Sequence, residues 1–538
     1  MESQGKTSVA RAAGLLMAST VISRILGYVR DIIIAAAFGQ TRLTDAYHAA
    51  FSIPDFLYNL LVAGTVTAAF IPVFTVYIAT DRQEEGWEVA STIINITIVA
   101  MLCCLAAAAG LAPYIVSKLV AGFEPEYMAL TVRMTRIMLI QAFFVALNGI
   151  SMGILNAHRR FLGPAIASVM YNVMIILVGA AFSRRLGIVG FSVGVVAGAA
   201  VQFIIQAVNL RKIGLRYKPI INWRHPGVRR VFFLMIPVVL SYTLNQIGLF
   251  VQQNLSSYLP GGSVAATRWA QRLMQMPVSI FAVAMVVAIY PTLNRHIARG
   301  EMEPFKKSFV FGLRTIFYVT IPCAVGLAVL SRPVVRLLYQ QGSFTAENTA
   351  LTAYILTFFC LGLFAQGGVL LMNRVFYALQ NTWTPVVTGA CAMALNISLN
   401  YLLIGPMGAG GLALAFSAAG VANLILLLYL ARLKIGPVGG GALAASFAKT
   451  LAMSLAMGAA MYAVARALEP IGALTKAGQL FQVGGALSLG CLIYFGLSVL
   501  LKMEETDMVL QMIRRRKPAK DGDGAQQEAG GGSHENEE

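Results

Sequence analysis

Charge is what this chain has least of. Only 12% of its 538 residues are Asp, Glu, Lys or Arg, and five are histidine. The spans of the second half contain no acid; Glu301, Glu303, Glu347 and Glu469 all fall in loops or at span ends. There is no Gly-rich phosphate loop ending in Lys-Ser/Thr, no cluster of metal-ligand residues and no nucleophile–His–acid set. These absences exclude an ATP-driven pump and an enzyme, and neither cofactor nor metal is expected. Six cysteines (Cys103, Cys104, Cys323, Cys360, Cys391, Cys491) form neither a disulfide framework nor a metal cluster, and are expected as small core residues inside apolar spans.

What is there is hydrocarbon. Apolar residues make up 58% of the chain, with many runs long enough to cross a bilayer, so the expected class is an all-α polytopic membrane protein. Fourteen spans are expected, starting near residues 8, 43, 88, 127, 163, 187, 229, 264, 306, 346, 384, 409, 443 and 477. An even number puts both termini on one side, and Lys and Arg say which. Segments on the N-terminal side hold 24 of the 41 basic residues, whereas the opposite loops hold Arg42, Lys118, Arg184, Arg185, Arg332, Arg336 and Lys476. Both termini are therefore expected in the cytoplasm. The net charge of +18 is loop charge of this kind, so no nucleic-acid partner is expected. The basic stretch from Arg211 to Arg230 should lie along the cytoplasmic surface against membrane lipids. Pro54, Pro72, Pro277 and Pro291 should bend spans two and eight.

A shift of 221 residues brings the halves into register. Pro164 meets Pro385, Gly187 and Gly190 meet Gly408 and Gly411, Arg211 meets Arg432, and Gly27 meets Gly248. Six spans per unit in one orientation make a parallel duplication, with substrate expected between the halves. The expected organisation is two pseudo-symmetric six-helix lobes (1–218 and 219–436), two further helices (437–502) and a disordered cytoplasmic tail (503–538).

The repeat is broken by charge. Ser23-Arg24-Ile25-Leu26-Gly27-Tyr28-Val29-Arg30-Asp31 stands in the first span where the second half has Asn245 and Gln252 in place of Arg24 and Asp31. A charge at bilayer depth costs about 2.5–3.5 kcal/mol even on insertion scales, so these residues should face a watery, protein-lined hollow. The alternative is an Arg–Asp pair that merely pins two helices. Arg24 and Asp31 share a helix face, and Gly27 could loosen the helix to re-aim Arg30. Arg268 and Arg272 in span eight are four apart, with Gln275 following on that face. Asp45 either joins the hollow or caps its own helix at Thr44-Asp45. Arg133, Arg136 and Arg374 are weaker candidates. The substrate-binding set is therefore Arg24, Arg30, Asp31, Asp45, Arg268 and Arg272. Its net positive charge and arginine forks suit phosphate or pyrophosphate.

Ser23-Arg24 through Arg30-Asp31, followed by Phe38-Gly39, Asp45-Ala46, Ile53-Pro54 and Ala69-Phe70-Ile71-Pro72, resembles the opening of the MurJ (MviN) lipid II flippases of the MOP exporter superfamily. Ile154-Leu155-Asn156, Arg160-Phe161, Pro164, Arg272-Leu273-Met274 and Pro277 are similar as well. The resemblance implies a central cationic cavity between the lobes and a groove for the polyprenyl tail at spans thirteen and fourteen. It implies movement of undecaprenyl-pyrophosphate-linked peptidoglycan precursor to the outer leaflet of the bacterial cytoplasmic membrane. Functional residues of that family fall here on Arg24, Arg30, Asp31 and Arg272, with Asp45 at the acid of span two. Where many members carry a basic pair and then Ala-Glu-Gly, this chain has Tyr58-Asn59 and Val62-Ala63-Gly64, and Gln275 replaces an acid.

Other readings are a flippase for a different polyprenyl-linked oligosaccharide, a cation-coupled multidrug exporter of the same superfamily, and a scaffold that recruits cell-wall synthesis enzymes. An exporter of cations would want acids where this chain has arginines. A scaffold would have no reason to tolerate them.

Overall fold

The computed structural model describes residues 2–60, 70–158, 160–437 and 439–506. The described residues are helical and contain no strand. In chain order the helices are α1 (Glu2–Phe38), α2 (Arg42–Ala50), α3 (Ser52–Tyr58), α4 (Ile71–Ala79), α5 (Gln83–Leu119), α6 (Pro125–Ala157), α7 (Leu162–Leu186), α8 (Val189–Lys212), α9 (Pro226–Ser257) and α10 (Ser263–Pro277). They continue as α11 (Val283–Ala298), α12 (Met302–Val329), α13 (Ser331–Tyr339), α14 (Ala346–Cys360), α15 (Leu363–Ala378), α16 (Trp383–Met407), α17 (Ala409–Ile435), α18 (Gly440–Ala467), α19 (Glu469–Leu474) and α20 (Lys476–Leu500). Length and apolar composition qualify ten described spans, or eleven when the bent pair α14–α15 counts as one. Those eleven do not include the charged α1, the broken α2–α4 stretch or α9. Ala63, Arg159 and the tail from 507 onward lie outside the described residues.

The 221-residue repeat is written into the backbone. Residues 162–186 and 383–407 form α7 and α16, identical in length and 221 apart. Each ends at a glycine with positive φ, Gly187 (φ 59°, ψ −141°) and Gly408 (φ 57°, ψ −134°), which an L side chain would strain. Three residues later Gly190 and Gly411 let the next helix touch the backbone of its predecessor, at Phe182 and Leu403, again 221 apart. Apolar packing divides along the chain. Two clusters are built from residues 34–264, and a larger one, apart from Ala35, from 265–443. A fourth holds α18 and α20 against α12.

Several expectations change. Of the six cysteines only Cys360 is buried; Cys103, Cys391 and Cys491 are exposed, since a small apolar thiol suits a lipid-facing wall as well as a core. The stretch after Met503 does not begin as a free tail. Met503, Glu505 and Thr506 are buried, with Arg314 of α12 paired to Glu504 and Glu505 at 2.8 Å each. The basic connection after α8 is pinned to α5, where Asn95 donates to the Lys218 and Ile220 carbonyls. Span two breaks at Phe51, and Pro277 is followed by a π-helical turn over Val278–Ala282. A 43° bend between α14 and α15, with no proline, was not foreseen. There Gly362 lies against Ser417 so closely that a Cβ would come within 2.6 Å of its Cα.

Candidate functional site

A cavity of about 520 Å³ lies between the halves, walled by α1, the broken second span, α7, α9 and α10. Its charged lining is Arg30, Asp31, Asp55, Arg268 and Arg272, so three guanidiniums face two carboxylates. Asp31 is 2% exposed and joins two of the arginines. Its Oδ1 accepts from Arg30 Nε (3.1 Å) and Nη2 (3.0 Å), and its Oδ2 accepts from Arg272 Nη1 at 2.6 Å. The α1–α10 ion pair expected as an alternative is thus present, and it stands on the wall of a hollow. Arg272 also lies over the Tyr28 ring, whose hydroxyl donates to the Arg272 carbonyl.

Gly27 serves this arrangement differently from the expected loosening of the helix. α1 runs unbroken through it, and a Cβ there would sit 2.5 Å from Arg272 Nη2. The glycine makes room for a guanidinium from the other half.

Arg268 donates to Gln253 Oε1 at 2.9 Å, which Ser52 also reaches at 2.6 Å, linking span two, α9 and α10. Arg24 is exposed, lies outside the cavity lining and is hydrogen-bonded to Ser279. Arg133 and Arg136 line a separate groove between α5 and α6, and Arg374 packs over Tyr290 and Tyr377.

The structure does not bring Asp45 to the cavity. Fully buried, it accepts from the backbone N–H of Gly262 (2.7 Å) and Ala265 (2.8 Å) at the start of α10. It is a cap, as one expectation had it, but of a helix in the other half. Its own helix is capped by Thr41 and Thr44. One turn earlier Arg42 donates to the carbonyls of Ser257 (3.2 Å) and Leu259 (2.8 Å) at the end of α9. A single turn of α2 therefore sets a cation on one helix C-terminus and an anion on the next N-terminus, the favourable sign at both dipole ends. Ser343 N–H donates to the Ala36 carbonyl and Gly122 N–H to Ser257 Oγ, so these contacts seal the side of the α1–α2 turn.

Sequence reasoning missed Asp55, His48, Tyr171, Gln246 and Gln271 in the cavity wall. Asp55 follows Pro54 and reads as a helix-restart residue. His48 has its ring edge-on to Trp269, a contact that no spacing announces. Among the described residues no three His, Cys, Asp or Glu come together as a metal site.

A family model described as "Lipid II flippase MurJ" matches residues 34–475, most of the chain. The chain belongs to the MurJ family. A probable lipid II flippase MurJ of Buchnera aphidicola is 31% identical over 412 residues, 76% of this chain and 81% of that protein. One from Vibrio cholerae is 31% identical over 427 residues, 77% and 81% respectively. A solved MurJ in an inward closed conformation superposes with a TM-score of 0.77 at 26% identity, covering 92% of this chain and 99% of the other. A multidrug-resistance transporter of the MATE family in an inward-facing conformation shares the fold, with a TM-score of 0.64 at 16% identity over 76% and 98%. The seal at the α1–α2 turn and the MurJ match describe one architecture: a transporter with a cationic hollow between two related halves.

Proposed function

We propose that this chain is a lipid II flippase, moving undecaprenyl-pyrophosphate-linked peptidoglycan precursor from the inner to the outer leaflet by alternating access. The observation that carries it is Arg30, Arg268 and Arg272 on one hollow between halves that repeat each other. Guanidinium forks match diphosphate oxygens in pairs, and inside a low-dielectric wall that match strengthens. Asp31 holds two of those forks, and a diphosphate, carrying more charge and more acceptors, competes for them. Arg24 belongs to the same pathway, nearer the N-terminal end of α1, where the cargo first meets the protein.

The two lobes are residues 1–218 and 219–436, which rock against each other about the hollow, while 437–502 form the groove for the lipid tail. The protein resides in the bacterial cytoplasmic membrane with both termini inside, as the loop arginines and lysines favour. The sealed side is then the outer one. Cell-wall synthesis enzymes are its downstream partners, taking the product from the outer leaflet. Export of organic cations is disfavoured by the arginines, and likeness to MATE transporters concerns the fold.

The test is replacement. Cells depleted of their own flippase should grow with this chain and stop with Arg24→Ala, Arg30→Ala or Arg272→Glu, each variant still reaching the membrane. Full growth with all three variants would refute the assignment.

A further inference from the structure

We propose that a neutral pocket in the second half is a headgroup subsite, which holds a secondary amide of the cargo while the arginines hold its diphosphate. The inference rests on the flippase reading and adds where the uncharged part of the substrate goes.

The pocket, about 160 Å³, lies between α9, α15, α16 and α17. Its polar groups are four carboxamides, Gln252, Gln366, Asn396 and Asn423, set among Leu249, Met393 and Phe416, and no ionisable side chain lines it. A wall of that kind offers nothing to a phosphate. It offers paired donors and acceptors to an amide, with apolar surface around them.

Two of these amides have spare hydrogen-bonding capacity. Gln252 is 7% exposed and its Nε2 has no partner, and the buried Oδ1 of Asn423 has none either. A buried donor and a buried acceptor left unmade are costly, and one secondary amide, with its N–H and C=O, answers both. Glycines keep the space open. A Cβ on Gly389 would meet nothing within 4 Å, and one on Gly420 would come within 2.8 Å of Gln366 Nε2.

The pocket adjoins the arginine cavity. Leu249 lines both, and a small hollow between them is walled by Gln252, Gln253 and Arg268. From α9, Gln246 and Leu249 wall the arginine cavity and Gly248, Leu249 and Gln252 wall the pocket, so adjacent faces of one helix meet the two sites at Leu249. A headgroup attached to a diphosphate at Arg268 and Arg272 would extend along that helix.

Secondary amides occur in the acetamido groups of the glycan and in the peptide stem, so three probes are needed: undecaprenyl diphosphate alone, the same lipid bearing the disaccharide, and the complete precursor. Binding to purified full-length protein is measured with Asn423→Leu, which removes the acceptor at similar size. Gly389→Val fills the open space and leaves a sound helix, guarding against misfolding as the cause. Both variants should bind the bare diphosphate like wild type and lose about tenfold for a headgroup-bearing probe. Loss already with the disaccharide lipid assigns the subsite to the glycan, and loss only with the complete precursor assigns it to the peptide. Equal weakening for all three probes, or no weakening, would overturn the proposal. Arg272→Ala should weaken all three probes together. If it weakens none, the arginine reading fails, while the difference between bare and headgroup-bearing lipid still reports on the pocket.

Discussion

Asp45→Ala should move the protein between conformations more than it unfolds it. The carboxylate caps α10 across the seam with bonds of 2.7 and 2.8 Å, and Arg42 stands 3.6 Å away. Losing a helix cap costs about 0.5–2 kcal/mol, and a partly buried charge at a helix end contributes up to about 2 kcal/mol more. On the alternating-access reading proposed above, rocking of the halves parts these contacts, so about 1.5–3 kcal/mol of differential stability would disappear from the closed state alone. Since 1.4 kcal/mol is a factor of ten, the population open to the outside should rise about 10- to 100-fold. A single cysteine at Gln271, on the cavity wall, reports this through a membrane-impermeant thiol reagent added to intact cells. Labelling should rise by that factor in Asp45→Ala and by less in Asp45→Asn, which keeps one acceptor. Unchanged labelling together with a lowered melting temperature would refute the reasoning, leaving Asp45 an ordinary structural cap.

Gly27→Ala should raise intrinsic helix stability by about 1 kcal/mol yet impair transport, because the new methyl would collide with Arg272; full activity by replacement assay would contradict the close approach. Arg314→Ala leaves Glu505, 2% exposed, without its guanidinium. Breaking a buried pair from one side costs about 3–5 kcal/mol, so melting in detergent should fall well below that of Glu504→Gln. Glu504 has a side chain 75% exposed, and an ion pair on the surface contributes about 0–1 kcal/mol. Equal melting temperatures would show that the Arg314 pairs do not hold α20. Arg42→Ala should act in the same direction as Asp45→Ala, and the double variant should show less than the sum of the two, since both grip one turn between α9 and α10.

The fold was legible because two of its signals are physically expensive to fake. Arginines at bilayer depth must be accommodated by something, and a 221-residue register that aligns Pro164 with Pro385 and Gly187 with Gly408 reflects matched helix starts and matched left-handed ends. The site was legible only where charge stood out against hydrocarbon. Arg30, Asp31, Arg268 and Arg272 were found on that ground, whereas His48, Tyr171 and Gln246 are ordinary residues until folding places them on one wall. Asp45 shows the limit differently. Its chemistry, an acid at a helix start, was readable, but which helix it caps depends on a partner more than two hundred residues away. Arg314 and Glu505 were hidden for the same reason. Arg314 is a lone cation near the middle of α12 and Glu505 follows the last span, and only the return of the chain after α20 brings them together.

Exposure of labelled lipid-linked precursor on the outer leaflet tests the central claim most directly, in cells depleted of their own flippase and supplied with this chain. The account predicts that the wild-type protein restores exposure and that Arg30→Ala and Arg272→Ala, inserted at equal abundance, do not. Restoration by both variants to the wild-type level would contradict it.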